Sequence, residues 1–340
     1  MRIILVGFGT VGQSFVKLLS ELQQTLQAEY GINPRVVAAA DRGGVAVNVK
    51  GLNLERLLEV KKAEGTVAAY PEGGQRKTSI VRMIEETPAE VLVEVTPTNI
   101  EDGEPGMSHI MAALRSGKHV VTANKGPMAL AFQALMELAE YNGVVLRFSG
   151  CVGGGTPVID FAGKCLLGDK ITSIRGILNG TTNYILTRMA EEGLSFEQAL
   201  EEAQKAGYAE ADPSMDVDGW DSACKLVILA NWVLKRKVRL ENVKVEGIRG
   251  VTVEDVEEAS ARGERIKLIA YADEEELKVS PETVPVGHPL CVSGVLNAVC
   301  FTSKYAGEET VIGKGAGGME TASAILRDLI NIKRFEASIG

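Results

Sequence analysis

Along the first half of the chain the spacing of apolar positions switches repeatedly between two periods. Residues 2–6 form a short, β-branched apolar run closed by glycines, the pattern of a strand buried on both faces. From Gln13 to Tyr30 the period lengthens. Phe15, Leu18, Leu19, Leu22 and Leu26 recur at helical spacing and predict an amphipathic helix. Val36–Ala40, Val91–Val95 and His119–Thr122 predict further strands, the last two preceded by helical stretches at Ile80–Thr87 and Met107–Ser116. Strands that alternate with helices imply right-handed crossovers, so this half is expected to be α/β: a doubly wound parallel sheet covered on both faces.

The pattern changes after a glycine-rich connector, GCVGGGTP at Gly150–Pro157. Next comes ITSIRGILNGTTNYILTRMAEEG, which reads as a strand, a tight turn at Asn179-Gly180-Thr181-Thr182 and a helix. Arg265–Tyr271, Glu276–Val284, Asn297–Thr302 and Thr310–Ile312 read as strands with no long helices between them, which predicts an α+β domain with a mixed or antiparallel sheet. The expected division is 1–150, 151–312, and a glycine-rich loop with a C-terminal helix, 313–340, that returns to the first domain.

Bulk properties narrow the classes. The 340 residues are enough for two domains, and the net charge of −9 argues against nucleic acid or an anionic membrane as partner. No apolar run approaches the ~18–20 residues that span a bilayer, and the first apolar run passes directly into glycines, unlike a signal peptide. Cys151, Cys165, Cys224, Cys291 and Cys300 are scattered without a CxxC pair, which suits reduced thiols in a cytoplasm. His109, His119 and His288 lack metal-ligand spacing and read as structural or surface residues.

Chemistry enters with GFGTVG, in which Gly7, Gly9 and Gly12 follow the first strand and open the first helix. That is the context the dinucleotide fingerprint of a Rossmann-like domain requires. The first glycine makes the tight turn, the second admits a pyrophosphate to the backbone, and the third lets helix and strand pack closely; the helix N-terminus offers free N–H groups. Asp41 ends the second strand 29 residues after Gly12, the long first helix absorbing the excess over the usual ~20. Asp41 favours NAD by reaching a ribose 2′-hydroxyl. Arg42 beside it, with Lys50 as a second charge, favours NADP through a 2′-phosphate. NADP is the expected preference, with NAD as the alternative. Two strand ends face the ligand side of such a sheet: Thr96-Pro97, and Ala123-Asn124-Lys125, where Gly126-Pro127 starts a helix and places the Lys125 amine toward the nicotinamide half.

The second domain carries GYAEADPSMDVDGWDSACK, Gly207–Lys225, with five carboxylates before one lysine. A calcium loop fails on spacing. With Asp216, Asp218 and Gly219 at positions 3, 5 and 6, position 12 falls on Lys225, where a glutamate is required. A solvated Asp221–Lys225 pair one helical turn apart would contribute only ~0.3–0.5 kcal/mol. However, Leu226–Ala230 is apolar all round, so this helix is buried and the pair belongs to a cleft, with Asp221 as the partner an enclosed lysine needs.

GILNGTTNYIL, GYAEADPSMDVDGWDSACK and TANKGP, with GFGTVG at the start and GKGAGGMETA late in the chain, resemble the signature segments of homoserine dehydrogenase. The resemblance covers nearly the whole chain. It implies NAD(P)H-dependent, reversible interconversion of L-aspartate 4-semialdehyde and L-homoserine, on the route to threonine and methionine. It also implies that Lys225 and Lys125 are paired catalytic lysines, with Lys225 the proton donor and Asp221 orienting it. Glu210 and Asp216 would take the substrate amino group, and Tyr208, Gly180 and Thr181 would complete the pocket. Phe8, Thr10 and Val11 in the glycine turn, Thr96 and Gly317 would join the cofactor site. The same resemblance implies a homodimer built on the second sheet. A monovalent cation (Na+) site in this family is built of backbone carbonyls, here those of Val152, Gly154 and Thr156, but its usual glutamate is replaced by Ser149. The length leaves no room for a fused aspartate kinase or an appended amino-acid-sensing domain. A semialdehyde dehydrogenase would need an activated cysteine that none of the five offers. A non-catalytic dinucleotide sensor would need neither lysine.

Overall fold

A computed structural model describes residues 1–339, and the chain divides into two compact units: Met1–Cys151 together with the residues from Gly317 onward, and Val152–Ala316.

In the first unit seven strands form one sheet: β1 (Arg2–Val6), β2 (Arg35–Asp41), β3 (Gly44–Val47), β4 (Gly74–Gln75), β5 (Val91–Glu94), β6 (His119–Thr122) and β7 (Leu146–Arg147), in the order β4-β3-β2-β1-β5-β6-β7. From β2 to β7 all neighbours are parallel, as the alternating pattern predicts. β3 and β4 are antiparallel additions at one edge. The chain doubles back there through Arg42-Gly43, and runs this short carry no readable period. Val6, Glu94 and Thr122 lie side by side in register with Ala40, so four strands end on one line. Ile3, Leu5, Val91, Val93 and Val121 are buried against Phe15, Val16 and Leu19 of the helix Thr10–Tyr30, in a core shared with Ala322, Ile325 and Leu329 of the C-terminal helix Gly318–Ile339. Each such side chain contributes ~1.5–3 kcal/mol by leaving water.

The second unit holds a six-stranded sheet: β8 (Ile171–Ile177), β9 (Lys244–Val245), β10 (Glu264–Ala272), β11 (Leu277–Pro285), β12 (Leu296–Ser303) and β13 (Gly307–Lys314), ordered β13-β12-β8-β10-β11-β9. All pairs are antiparallel except β9 with β11, which makes the sheet mixed. Ile177, Ile269, Val284, Leu290, Ala298 and Cys300 form one buried cluster on it. The helix Trp220–Trp232 is buried at every position from Asp221 to Asn231, which explains why its sequence is apolar all round after Lys225. Among the described residues no helix is long and apolar enough to cross a membrane.

Candidate active site

The turn after β1 has the shape of a phosphate cradle. Gly7 sits at φ +103°, and a Cβ there would lie 2.5 Å from the Val95 carbonyl. A Cβ on Gly12 would lie 2.1 Å from the Gly7 carbonyl oxygen, so only glycine allows helix and strand this close. Gly9 differs, with nothing within 4 Å of where its Cβ would be, and that open space lies at the N-cap of a helix with no capping side chain and no acid in its first turn. Uncapped N–H groups and a positive helix end fit an anionic pyrophosphate. Phe8 is buried, Thr10 is exposed, and Val11 is half-buried against the core. A Cβ on Gly318 would meet Ser14 and Thr10, so Gly317 and the start of the C-terminal helix lie beside the same turn.

Asp41 stands at the end of β2, but its carboxylate is already filled. Oδ1 accepts from the Thr66 hydroxyl (2.7 Å) and the Gly43 N–H (2.9 Å); Oδ2 accepts from the Lys61 ammonium (2.7 Å) and the Val67 N–H (2.9 Å). Four donors saturate the roughly four acceptor sites of a carboxylate, leaving none for a ribose hydroxyl. Burial pushes its pKa up, but the Lys61 charge, the Thr66 hydroxyl and the two N–H groups outweigh burial and hold it below the ordinary value. Arg42, next in the turn, is exposed. Lys50 is not its companion. It lines a cavity with Arg35, Leu19 and Gln23 at the other end of β2, about 20 Å away along a seven-residue strand.

At the mouths of β5 and β6 the polar residues form a closed network. Glu94 accepts from the Thr96 N–H (3.1 Å), from the Thr96 hydroxyl in a very short bond, and from the Thr122 hydroxyl (3.3 Å). The Asn124 side chain donates to Thr96 Oγ1 (3.1 Å) and accepts from the Gly126 N–H (3.1 Å), capping the helix Lys125–Tyr141. Lys125 is therefore the first residue of a capped helix at a strand mouth, half-buried.

In the second unit the acidic run separates by role. Asp212 caps Ser214 locally and Asp218 pairs with Arg249 at the surface. Asp216 and Asp221 turn inward onto one residue, Asn179, whose Nδ2 donates to Asp216 (2.6 Å) and to Asp221 (2.8 Å). The Lys225 ammonium, 6% exposed, donates to Asp221 Oδ2 (2.6 Å) and to the Leu178 carbonyl (2.6 Å). The residue types explain the arrangement. Asn179 is the N-cap of the helix Gly180–Glu192, with Oδ1 taking the Thr182 N–H at 2.9 Å, which leaves its amide donors free to bridge two carboxylates. Burial, and then the Asp221 charge, raise the Asp216 pKa, with Asn179, Thr181 and Lys225 pulling the other way. Two carboxylates, Asp216 and Asp221, thus meet at Asn179 beside the Lys225 ammonium.

Residues 7–149 match the family model described as the NAD-binding domain of homoserine dehydrogenase, and residues 157–330 match the homoserine dehydrogenase model. A homoserine dehydrogenase of Methanocaldococcus jannaschii is 47% identical over 98% of both chains. This chain belongs to the homoserine dehydrogenase family. An NAD(+)-dependent homoserine dehydrogenase of Pseudomonas canavaninivorans is 41% identical over 97% of this chain and 96% of its own. A solved hyperthermophilic archaeal homoserine dehydrogenase in complex with NADPH superposes with a TM-score of 0.87, at 31% identity and 98% coverage of each chain.

Within that family frame the remaining positions can be placed. Thr181 donates its hydroxyl to the Tyr208 carbonyl (2.9 Å), and the half-exposed Tyr208 ring lies 4.8 Å from that of Tyr184, so Gly180, Thr181 and Tyr208 form one surface next to Asn179. Glu210 is exposed on the following loop, its backbone carbonyl accepting from the Gln204 side chain at 3.1 Å. Ser149 gives both its N–H (2.8 Å) and its hydroxyl (2.7 Å) to the fully buried Asp328 carboxylate, a use of the serine that its sequence position does not announce. Of the three carbonyls expected around a cation, that of Thr156 already takes the Val158 N–H at 2.8 Å. Among the described residues no three His, Cys, Asp or Glu side chains gather as metal ligands.

Proposed function

We infer that this chain is a homoserine dehydrogenase, an NAD(P)-dependent oxidoreductase that interconverts L-homoserine and L-aspartate 4-semialdehyde. One observation carries the assignment of roles: a buried lysine ammonium fixed by a carboxylate, Asp221, that shares its Asn179 donor with a second carboxylate, Asp216. The nicotinamide cofactor, when bound, supplies or removes the hydride. Gly7, Phe8, Gly9, Thr10, Val11 and Gly12, with Gly317 alongside, hold its pyrophosphate against the helix N-terminus, and Thr96 lies toward the nicotinamide end. Because the Asp41 carboxylate is filled internally, Arg42 is left to face the 2′ position, which favours NADP over NAD.

The substrate ammonium binds at the carboxylate cluster. Asp216, and Glu210 from its loop, take that group, and its positive charge opposes the burial and the Asp221 repulsion that raise the Asp216 pKa. Gly180, Thr181 and Tyr208 complete the pocket. Lys225 has three N–H donors. Asp221 and the Leu178 carbonyl use two, which leaves one for the substrate oxygen. In reduction that N–H donates the proton and stabilises the charge that develops on oxygen; in oxidation the amine takes the proton back. Asp221 fixes the amine's direction, and Lys125 is the second lysine, working from the cofactor side.

Three further parts belong to this reading. The protein works as a homodimer built on the second sheet, whose edge strand β13 exposes Ile312 and is preceded by a turn that exposes Tyr305; a monomer in light scattering at micromolar concentration contradicts it. It works in the cytoplasm, which agrees with five free cysteines. Carbonyls of Val152, Gly154 and Thr156 serve a monovalent cation without help from Ser149, so exchanging Na+ for choline should lower activity. Hydride transfer from L-homoserine, compared with NAD+ and NADP+ on the purified protein, tests the whole reading. Absence of turnover with both cofactors refutes it.

A further inference from the structure

We propose that Glu94 is a positioning residue for the reaction. Its carboxylate fixes the strand mouth from which Thr96, Asn124 and Lys125 face the nicotinamide half of the cofactor. The proposal rests on the reading of Lys125 given above.

Glu94 is 0% exposed, at the end of a strand otherwise made of valine and leucine. A carboxylate in that layer carries a desolvation cost of several kcal/mol, which valine would avoid. Its surroundings show what it does there. Among the described residues the one ionisable partner near it is His109, whose buried Nδ1 lies 3.7 Å away and makes no hydrogen bond. Its hydrogen-bond donors are the Thr96 N–H and the hydroxyls of Thr96 and Thr122.

Each hydroxyl, having donated to Glu94, must accept from elsewhere, and both accept from Asn124. The Asn124 side-chain amide donates to Thr96 Oγ1 at 3.1 Å, and its backbone N–H donates to Thr122 Oγ1 at 3.0 Å. The same amide reaches the Pro97 carbonyl (3.3 Å), and Asn124 Oδ1 takes the Gly126 N–H. Two chains of hydrogen bonds thus run from one carboxylate to the N-cap of the helix that begins with Lys125. An acceptor-only group at position 94 makes both hydroxyls donate to it and leaves their lone pairs to Asn124. A neutral group there lets the hydroxyls turn, and a misplacement of about 1 Å at a reacting group costs on the order of 10²-fold in rate.

The test uses the full-length protein with L-homoserine and NADP+. Glu94→Gln keeps the size but presents an N–H to one of the two hydroxyls. Its kcat should fall about 10- to 100-fold, while the Kd for NADPH, set by the glycine turn and Arg42, changes less than about threefold. Glu94→Asp keeps the charge and should recover part of the loss; it also serves as the folded variant should the glutamine protein not fold. Lys125→Ala separates this proposal from the reading beneath it. If Glu94 acts through Asn124 and Lys125, the double variant is no slower than Lys125→Ala alone. Normal kcat in both Glu94 variants beside an impaired Lys125→Ala overturns the role of Glu94 and leaves that of Lys125. Fully multiplying losses, or a Kd that rises as far as kcat falls, also overturn it. Normal turnover in Lys125→Ala removes both.

Discussion

Two lysines are buried in the second unit, and they are held in opposite ways. Lys225 lies against a carboxylate, Asp221, and a single carbonyl. Lys267 on β10, only 2% exposed, is hydrogen-bonded to neutral groups: its ammonium donates to Asn183 Oδ1 (2.8 Å), the Val292 carbonyl (2.7 Å) and, more weakly, Thr187 Oγ1 (3.4 Å). All three donors of Lys267 are spent on the framework, tying the loop before β12 to the helix Gly180–Glu192. Burial accordingly pushes its pKa down to about 8. Lys225 keeps one donor unspent beside a carboxylate cluster. Burial alone therefore does not distinguish the two amines; a fixed counter-charge and an unspent donor do.

Removing each lysine in turn should break the comparison open. Lys225→Ala should lower kcat by about 10²–10⁴-fold, the value of general-acid help, with NADPH binding unchanged because the lysine is outside the phosphate cradle. Lys267→Met, which removes a charge but keeps the stem, should leave kcat within about threefold and act on stability instead. Comparable kcat losses in the two variants would erase the distinction drawn here.

The next effect in size concerns the two charged neighbours Asp41 and Arg42. Arg42→Ala should raise the KM for NADP+ by about 10–150-fold, the value of a charge-assisted bond of ~1.5–3 kcal/mol, and leave that for NAD+ nearly unchanged. Equal effects on the two cofactors would sink the assignment.

The smallest effect is a slope. The Lys267 pKa falls from 10.5 in the unfolded chain to about 8 in the folded one. Between those values the unfolded state binds more protons, so stability rises with pH, by at most about 3 kcal/mol across that window. Denaturant titrations from pH 8 to 10 should show this rise in the wild type and lose it in Lys267→Met. A rise that persists in the variant would assign it to another group.

How far the sequence carried depended on the range of the contact. The Asp221–Lys225 pair was legible because both residues share one face of a helix whose next five positions are apolar. The ends of β1, β2, β5 and β6 were legible from period and glycines. Partners far along the chain were not. Nothing local in Asp41 announces Lys61 and Thr66, 20 and 25 residues later, and yet they decide what its carboxylate has left to offer. Asn179 read as part of a tight turn; only folding brings it between Asp216 and Asp221, 37 and 42 residues on. Arg249 removes Asp218 from the acidic cluster in the same way. Glu94 looked like one more strand residue, because a single polar position at a strand end does not disturb the apolar pattern. The β3–β4 edge is not legible in the sequence, because a four-residue and a two-residue strand leave no period to count.

The most direct test of the account is chemical rescue of Lys225→Ala. With the fold intact by circular dichroism and NADPH binding unchanged, kcat on L-homoserine should be at least about 10²-fold below wild type and should climb as a small primary amine is added to fill the space left by the side chain. A Lys225→Ala protein that turns over at the wild-type rate with no amine present would contradict the central claim that this ammonium handles the hydroxyl proton.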